Sequence, residues 1–177
     1  MDTFTVIKNR CAIRNFTNQT LPAQVLQQIL EAGRWSPSPL NSQPWRFIVI
    51  KDKNTLTELA ATARHGSFLN TAQTAIVTIV ENDAKVDPWL AEHQQYIYSG
   101  VCAMQNMWLT AWHLGIGCCW VSIDEQAARE LLAIPKNYTL IGSLALGYPV
   151  GNSKPHTQKD RNPLSEIVFY EQFEQTE

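Results

Sequence analysis

A chain of 177 residues, 45% of them apolar and 17% charged, is long enough to bury one sizeable core and short for two. The formal net charge of -2 and the absence of any Lys/Arg block exclude the electrostatic footprint of a nucleic-acid binder. The opening MDTFTVIKNR lacks the layout of a signal peptide, and no apolar run reaches the roughly 18 residues of a membrane span; a cytoplasmic protein with neither nucleic acid nor membrane as partner is expected.

In chain order, a short helix is expected over residues 3 to 9, interrupted by the basic segment RCAIRNF from Arg10 to Phe16. Pro22 suits a first helical turn, and Val25, Leu26, Ile29, Leu30 and Gly33 share one face, which predicts a helix from about 22 to 35. The segment WSPSPLNSQPW carries three prolines and three serines, which prevent regular structure until Trp45. Trp45 to Ile50 reads as a strand, a helix follows Asn54, and TAIVTIVE from Thr74 has the apolar run of a buried strand. From Pro88 to Leu114 one long helix is expected, with Ile97, Val101, Met104, Trp108 and Trp112 on its packed face. Gly115 and Gly117 end it. CCWVSI forms a strand, Asp124 caps a short helix that stops before Pro135, and Leu140 to Leu146 is the last central strand. Strands and helices alternate without a repeat or linker, so a single α+β domain over 1–177 is expected, with helices around one central sheet.

Cys11, Cys102, Cys118 and Cys119 show neither CxxC spacing nor a secreted-scaffold framework, and His65, His93, His113 and His156 lie far apart, so reduced thiols and no metal site are expected. Three segments carry unusual chemistry: the arginine pair Arg10 and Arg14, the proline-bounded loop at 36 to 44, and the basic pair Lys159 and Arg161. Guanidinium forks match phosphate oxygens, and loop donors complete such sites, so together these segments suit a phosphorylated cofactor. Each is equally a solvated charge or an ordinary turn when read alone.

Taken in order, RCAIRNF, PSPLNSQPWRFIVI, a long helix ending in LGIGCCWVS, then LALGYP and KDRNPLSEIV resemble the FMN-dependent nitroreductase family over nearly the whole chain. The resemblance implies a three-layer α-β-α sandwich with a mostly antiparallel sheet, and a domain-swapped-like homodimer. It also implies FMN as cofactor, NAD(P)H as donor and hydride transfer through flavin N5, by ping-pong chemistry, to an organic acceptor such as a nitroaromatic or quinone. Arg10 is then expected on the FMN phosphate with Arg161 and Lys159, and Arg14 near the pyrimidine edge or ribityl chain, where a cation stabilises reduced flavin. Cys11 and Ala12 belong to the same binding turn; the family usually has Ser where Ala12 stands, and a basic residue or Ser where Cys11 stands. Pro37, Ser38, Pro39 and Asn41 resemble the element that reaches the flavin of the other subunit. Backbone at Val121, Ser122 and Ile123 resembles the segment facing N5 and O4. Arg64, His65 and Ser67 are candidates for the remaining pyrimidine contact. No side chain is assigned as a general acid.

Other readings stand beside this one. Cys11 between two arginines suits a low-pKa thiolate. Cys118 and Cys119 are expected on opposite faces of a strand. Trp108 and Trp112 read as core by phase, whereas Trp89, Tyr96 and Tyr98 suit a pocket mouth. A flavin carrier, a redox sensor, or a relative that cleaves flavin, dehydrogenates or dehalogenates would present the same residues. The apolar end IVFYEQF, within the tail from about 150 to 177, is expected to wrap the partner subunit or to form an edge strand of its own sheet.

Overall fold

The period-two alternation of β2 (Thr74–Glu81) organises the molecule, because this strand is buried along nearly its whole length. Ala75, Val77 and Ile79 face one layer, while Ile76 faces the other. The computed structural model describes residues 1–81, 87–151 and 161–174. Four strands form one antiparallel sheet in the order β1-β2-β4-β3. The others are β1 (Trp45–Ile50), β3 (Gly117–Val121) and β4 (Tyr138–Gly147). β4 pairs on both sides, which places β2 and β4 at the centre and β1 and β3 at the edges.

Helices cover both faces. On one lie α2 (Ala23–Arg34) and α5 (Gln95–His113), whose Leu26, Ile29, Met104, Met107 and Ala111 pack on Ile76, Cys118, Leu144 and Leu146. On the other lie α3 (Lys53–Ala61) and α6 (Glu125–Leu132), with Leu56, Leu59 and Ala60 against Ala75, Val77 and Ala145. This is the three-layer α-β-α arrangement that the resemblance implies, and it agrees with the helices around one central sheet expected from the alternation of elements. Helix starts follow local chemistry: Asp2, Asp52, Asp87 and Asp124 each accept a hydrogen bond from an amide of the first turn, opening α1 (Thr3–Asn9), α3, α4 (Pro88–Glu92) and α6 respectively.

Two glycines permit close approaches that any Cβ would block. At Gly33 an added Cβ would lie 2.9 Å from both Met107 Cγ and Phe47 Cζ, so its absence lets α2 close onto α5 and β1. Gly142 adopts φ +150°, and a Cβ there would lie 2.9 Å from Trp120 Nε1. The β2–β4 register shifts here, from Thr78↔Gly142 to Ile79↔Leu140; one extra residue in β4 is a bulge, which bends the strand beside the end of β3.

Three expectations are corrected. The stretch from Pro88 to Leu114 is two helices, because Gln94 takes a left-handed conformation (φ 53°) between α4 and α5. The packed face of α5 is Ser99, Gly100, Ala103, Met104, Met107 and Ala111, and Val101 is exposed. Small residues decide this: a Cβ at Gly100 would lie 2.7 Å from both Val80 and Ile141, so the helix seats where its side chains are smallest. Finally, the described C-terminal residues form a short 3₁₀ turn, Leu164–Glu166, and no strand of this chain's own sheet.

Candidate functional site

The segment from Arg10 to Arg14 leaves the end of α1 and runs beside β3. The Ile13 amide donates to the Cys118 carbonyl at 3.0 Å, and Gly117 makes room for the Ile13 side chain, which a Cβ would meet at 2.8 Å. Cys11 and Ile13 are thereby buried with Phe16, Ala12 is half-buried, and Arg14 points to the exposed side. The Arg10 guanidinium lies 4.3 Å from the centre of the Trp108 ring, and that of Arg14 lies 5.8 Å from the ring of Phe68. Among the described residues neither arginine has a carboxylate partner, and the amides of Cys11 and Ala12 have no protein acceptor. Guanidiniums without a carboxylate partner among the described residues, next to main-chain amides, are donor types that suit phosphate oxygens.

The thiols take no part. Cys11 is only 4% exposed, so it lacks the access that a reactive thiolate needs. Burial pushes the Cys118 thiol well above its ordinary pKa, with Cys119 adding to the shift and Arg10 opposing it, so Cys118 stays a neutral core group.

The second wall forms where β3 runs out. Ile123 makes an antiparallel bridge with Ala63, and the Asp124 amide donates to the Thr62 carbonyl at 2.9 Å. The Asp124 carboxylate accepts the Ala127 amide at 2.9 Å, fixing α6 directly after this segment. Gly66 packs against Val121, whose Cγ1 would lie 3.1 Å from a Cβ at position 66. Residues 62–68 are thus held alongside Val121, Ser122 and Ile123, and Phe68 links them to Arg14. Arg64, His65 and Ser67 line an open depression of about 540 Å³, with Thr57 and Asn70 on its rim. Arg64, His65 and Ser67 stand in the sequence as candidates only, and the bridge between Ala63 and Ile123 is what sets their segment beside the end of β3.

The loop at Pro37, Ser38, Pro39 and Asn41 lies elsewhere. Ser38 Oγ accepts the Gln43 amide at 3.0 Å, Leu40, Asn41 and Gln43 are left-handed, and a 3₁₀ turn spans Pro39–Asn41 where no regular structure is expected from the prolines. Asn106 on α5 donates to Ser36 Oγ at 2.9 Å, tying the loop to that helix. Asn106 and Trp108, two residues apart, project roughly 200° from each other round the helix. The loop and Arg10 therefore flank opposite sides of α5, and one chain does not bring them together. Arg161 is exposed in the C-terminal segment, and Lys159 lies outside the described residues. Of the three aromatics expected at a pocket mouth, Trp89 is exposed and stacks on His93 at 4.0 Å, Tyr98 is exposed, and Tyr96 instead packs with Trp45, Val80 and Ala103. Among the described residues there is no cluster that could hold a metal ion and no helix long and apolar enough to cross a membrane.

The sequence matches the family model of the Nitroreductase family over residues 7–99 and 64–148. A protein of Archaeoglobus fulgidus, provisionally assigned as NADH dehydrogenase/NAD(P)H nitroreductase, is 32% identical over 166 residues, which is 89% of this chain and 92% of that protein. A provisionally assigned nitroreductase of Desulfovibrio desulfuricans, solved in complex with FMN, superposes with a TM-score of 0.82 at 30% identity, covering 98% of both chains. An FMN-dependent nitroreductase of Clostridium difficile superposes with a TM-score of 0.82 at 26% identity, over 96% of this chain and 99% of that one. With an α-β-α sandwich, an arginine-bearing turn on β3 and a matching profile across both, the chain belongs to the nitroreductase family.

Proposed function

We propose that this protein is an FMN-dependent oxidoreductase that draws electrons from NAD(P)H and delivers them to an organic acceptor such as a nitroaromatic or a quinone. The observation that carries the reading is that β3 holds the Arg10–Arg14 turn at Gly117 and Cys118 and residues 62–68 at Val121 and just beyond it at Ile123, with Arg14 over the Phe68 ring joining the two and both guanidiniums lacking a carboxylate partner among the described residues. When bound, FMN supplies a two-electron carrier between a reduced nicotinamide and an oxidant, so the protein's tasks are binding, orientation and charge.

Arg10 binds the cofactor phosphate, together with Arg161 and Lys159, and the free amides of Cys11 and Ala12 add neutral donors. Ala12 contributes no hydroxyl, and the Cys11 side chain stays in the core. Arg14 places its positive charge toward the pyrimidine edge and favours the reduced state. Arg64, His65 and Ser67 complete that edge from the facing segment. Backbone at Val121, Ser122 and Ile123 offers amide donors toward N5 and O4 that need no titrating side chain.

Pro37, Ser38, Pro39 and Asn41 serve the site of a partner subunit in a homodimer. Their position across α5 from Arg10 supports this, and so do the exposed apolar residues Phe4 and Ile7 on α1, Tyr98 and Val101 on α5, and Leu40 in the loop itself. Monomers rarely leave such a set uncovered. Anaerobic titration of the purified, FMN-loaded protein with NADH and then NADPH tests the reading. Bleaching of the flavin band by either donor, and its return on adding a quinone or nitroaromatic, is the expected outcome. Flavin that stays oxidised with both donors would point to a carrier or sensor.

A further inference from the structure

Trp108 fills a place in α5 that a plain hydrocarbon would fill at lower cost. Its indole Nε1 is buried with no hydrogen-bond partner among the described residues, and a buried unpaired N–H is unfavourable, a penalty that Phe or Leu would avoid. The face of the same ring carries the Arg10 guanidinium at 4.3 Å. Indole is the best aromatic surface for a cation, and stacking uses only the flat face of a guanidinium, leaving its N–H groups free at the edge. Arg10 is half-buried, and among the described residues it has no other side-chain partner. The long arginine side chain is held in one arrangement before any anion arrives, with its donors unspent.

We infer that Trp108 is a positioning residue for the cofactor phosphate: its indole face preorganises the Arg10 guanidinium so that the N–H edge is presented to the phosphate. The inference rests on the reading that Arg10 binds that phosphate. Preorganisation lowers the ordering cost at the moment of binding, so its signature is selective: affinity for the phosphorylated ligand changes while affinity for the same ring system without phosphate does not.

The test is equilibrium binding of FMN and of riboflavin to the apoprotein, followed by flavin fluorescence, for wild type, W108L, W108F and R10K. W108L is expected to bind FMN about tenfold more weakly and riboflavin as wild type does, and W108F is expected to stay within about threefold of wild type. R10K, which keeps the charge but loses both the flat stack and the guanidinium fork, is expected to bind FMN at least as weakly as W108L, and the double variant W108L/R10K to lose little beyond R10K alone, since the stack is already gone. The cycle R10K, W108M and W108M/R10K removes the ring with a flexible, helix-compatible side chain, so the question is answered even where W108L folds poorly. Equal losses for FMN and riboflavin, no loss for either, or W108F as weak as a well-folded W108L would each overturn the role of Trp108. Wild-type protein that binds riboflavin as tightly as FMN would overturn the phosphate assignment of Arg10 and the inference with it.

Discussion

Arg14 and Gly142 show how much a single position carries when its neighbours leave no substitute. Arg14 is exposed and lies over the ring of Phe68, so replacing it removes charge from the surface and not a buried side chain from the core. Arg14→Gln is expected to lower the bound flavin's reduction potential by roughly 30 mV or more, a tenfold change for a two-electron couple, and to slow turnover; redox-dye equilibration reads the first, and an unchanged potential would remove the role given to Arg14. Gly142 is strained for any other residue by its φ of +150° and is crowded by Trp120. Gly142→Ala should cost about 2 kcal/mol in chemical denaturation. The arginines, Ala12 and the loop residues are legible in the sequence as unusual chemistry. Gly142, Ala63 and Gly66 are not, since a glycine or alanine reveals its importance only through what approaches it.

At the scale of elements, the cap at Asp124 is legible in the sequence, whereas α3 is expected after Asn54 and starts at Lys53 on the Asp52 cap. Asp124 precedes α6 in the pattern of an N-cap, and the structure gives it that bond together with the Asp124–Thr62 backbone contact that holds the second wall. Asp124→Ala is expected to cost about 1 kcal/mol of stability and to loosen flavin binding more than a change at a remote cap such as Asp2. The last turn of α2 carries a pH-dependent device: hydrogen bonds from Arg34 and then Trp35 hold the Glu31 carboxyl down to about 2, against an ordinary value of 4.5. Because the folded value is depressed, this contribution is present above pH 4.5 and is lost as pH falls through about 2. Glu31→Gln should therefore lower the urea midpoint slightly near neutrality and leave it unchanged near pH 2, so that the acid limb flattens by the same small amount, as expected for an exposed trio. On α5, Met104, Trp108 and Trp112 pack as their phase predicts, whereas Val101 is exposed and Gly100, Ala103 and Ala111 are buried, because hydrophobic periodicity weighs a valine above glycine and alanine. Helix seating rewards the residues that allow close approach.

For the whole molecule, the unanswered surface is apolar. Leu164, Ile167, Tyr170 and Phe173 are all exposed in the described C-terminal residues, as is Trp35 at the end of α2. We propose that this segment wraps a partner subunit. A chain ending at Pro163 is expected to sediment as a monomer and to lose FMN, because the loop at 37–41 then has no second site to serve; a truncated protein that remains dimeric and FMN-saturated would reject the wrapping arm.

What the sequence alone determined is local: where helices begin, because a capping Asp or a Pro acts within a few residues; which strands are buried, because side chains alternate across a sheet; and which segments carry cations and irregular backbone. The alternation of elements predicted helices around one central sheet, and the family resemblance implied the three layers. The tertiary structure decided which segments meet. Ile13 reaches Cys118 and Ala63 reaches Ile123 across more than fifty residues of chain, contacts that no local pattern encodes. It likewise parted Arg10 from the 36–44 loop by setting them on two sides of one helix, a separation that depends on how α5 is rotated against the sheet, and that rotation is chosen by the smallest side chains on its surface.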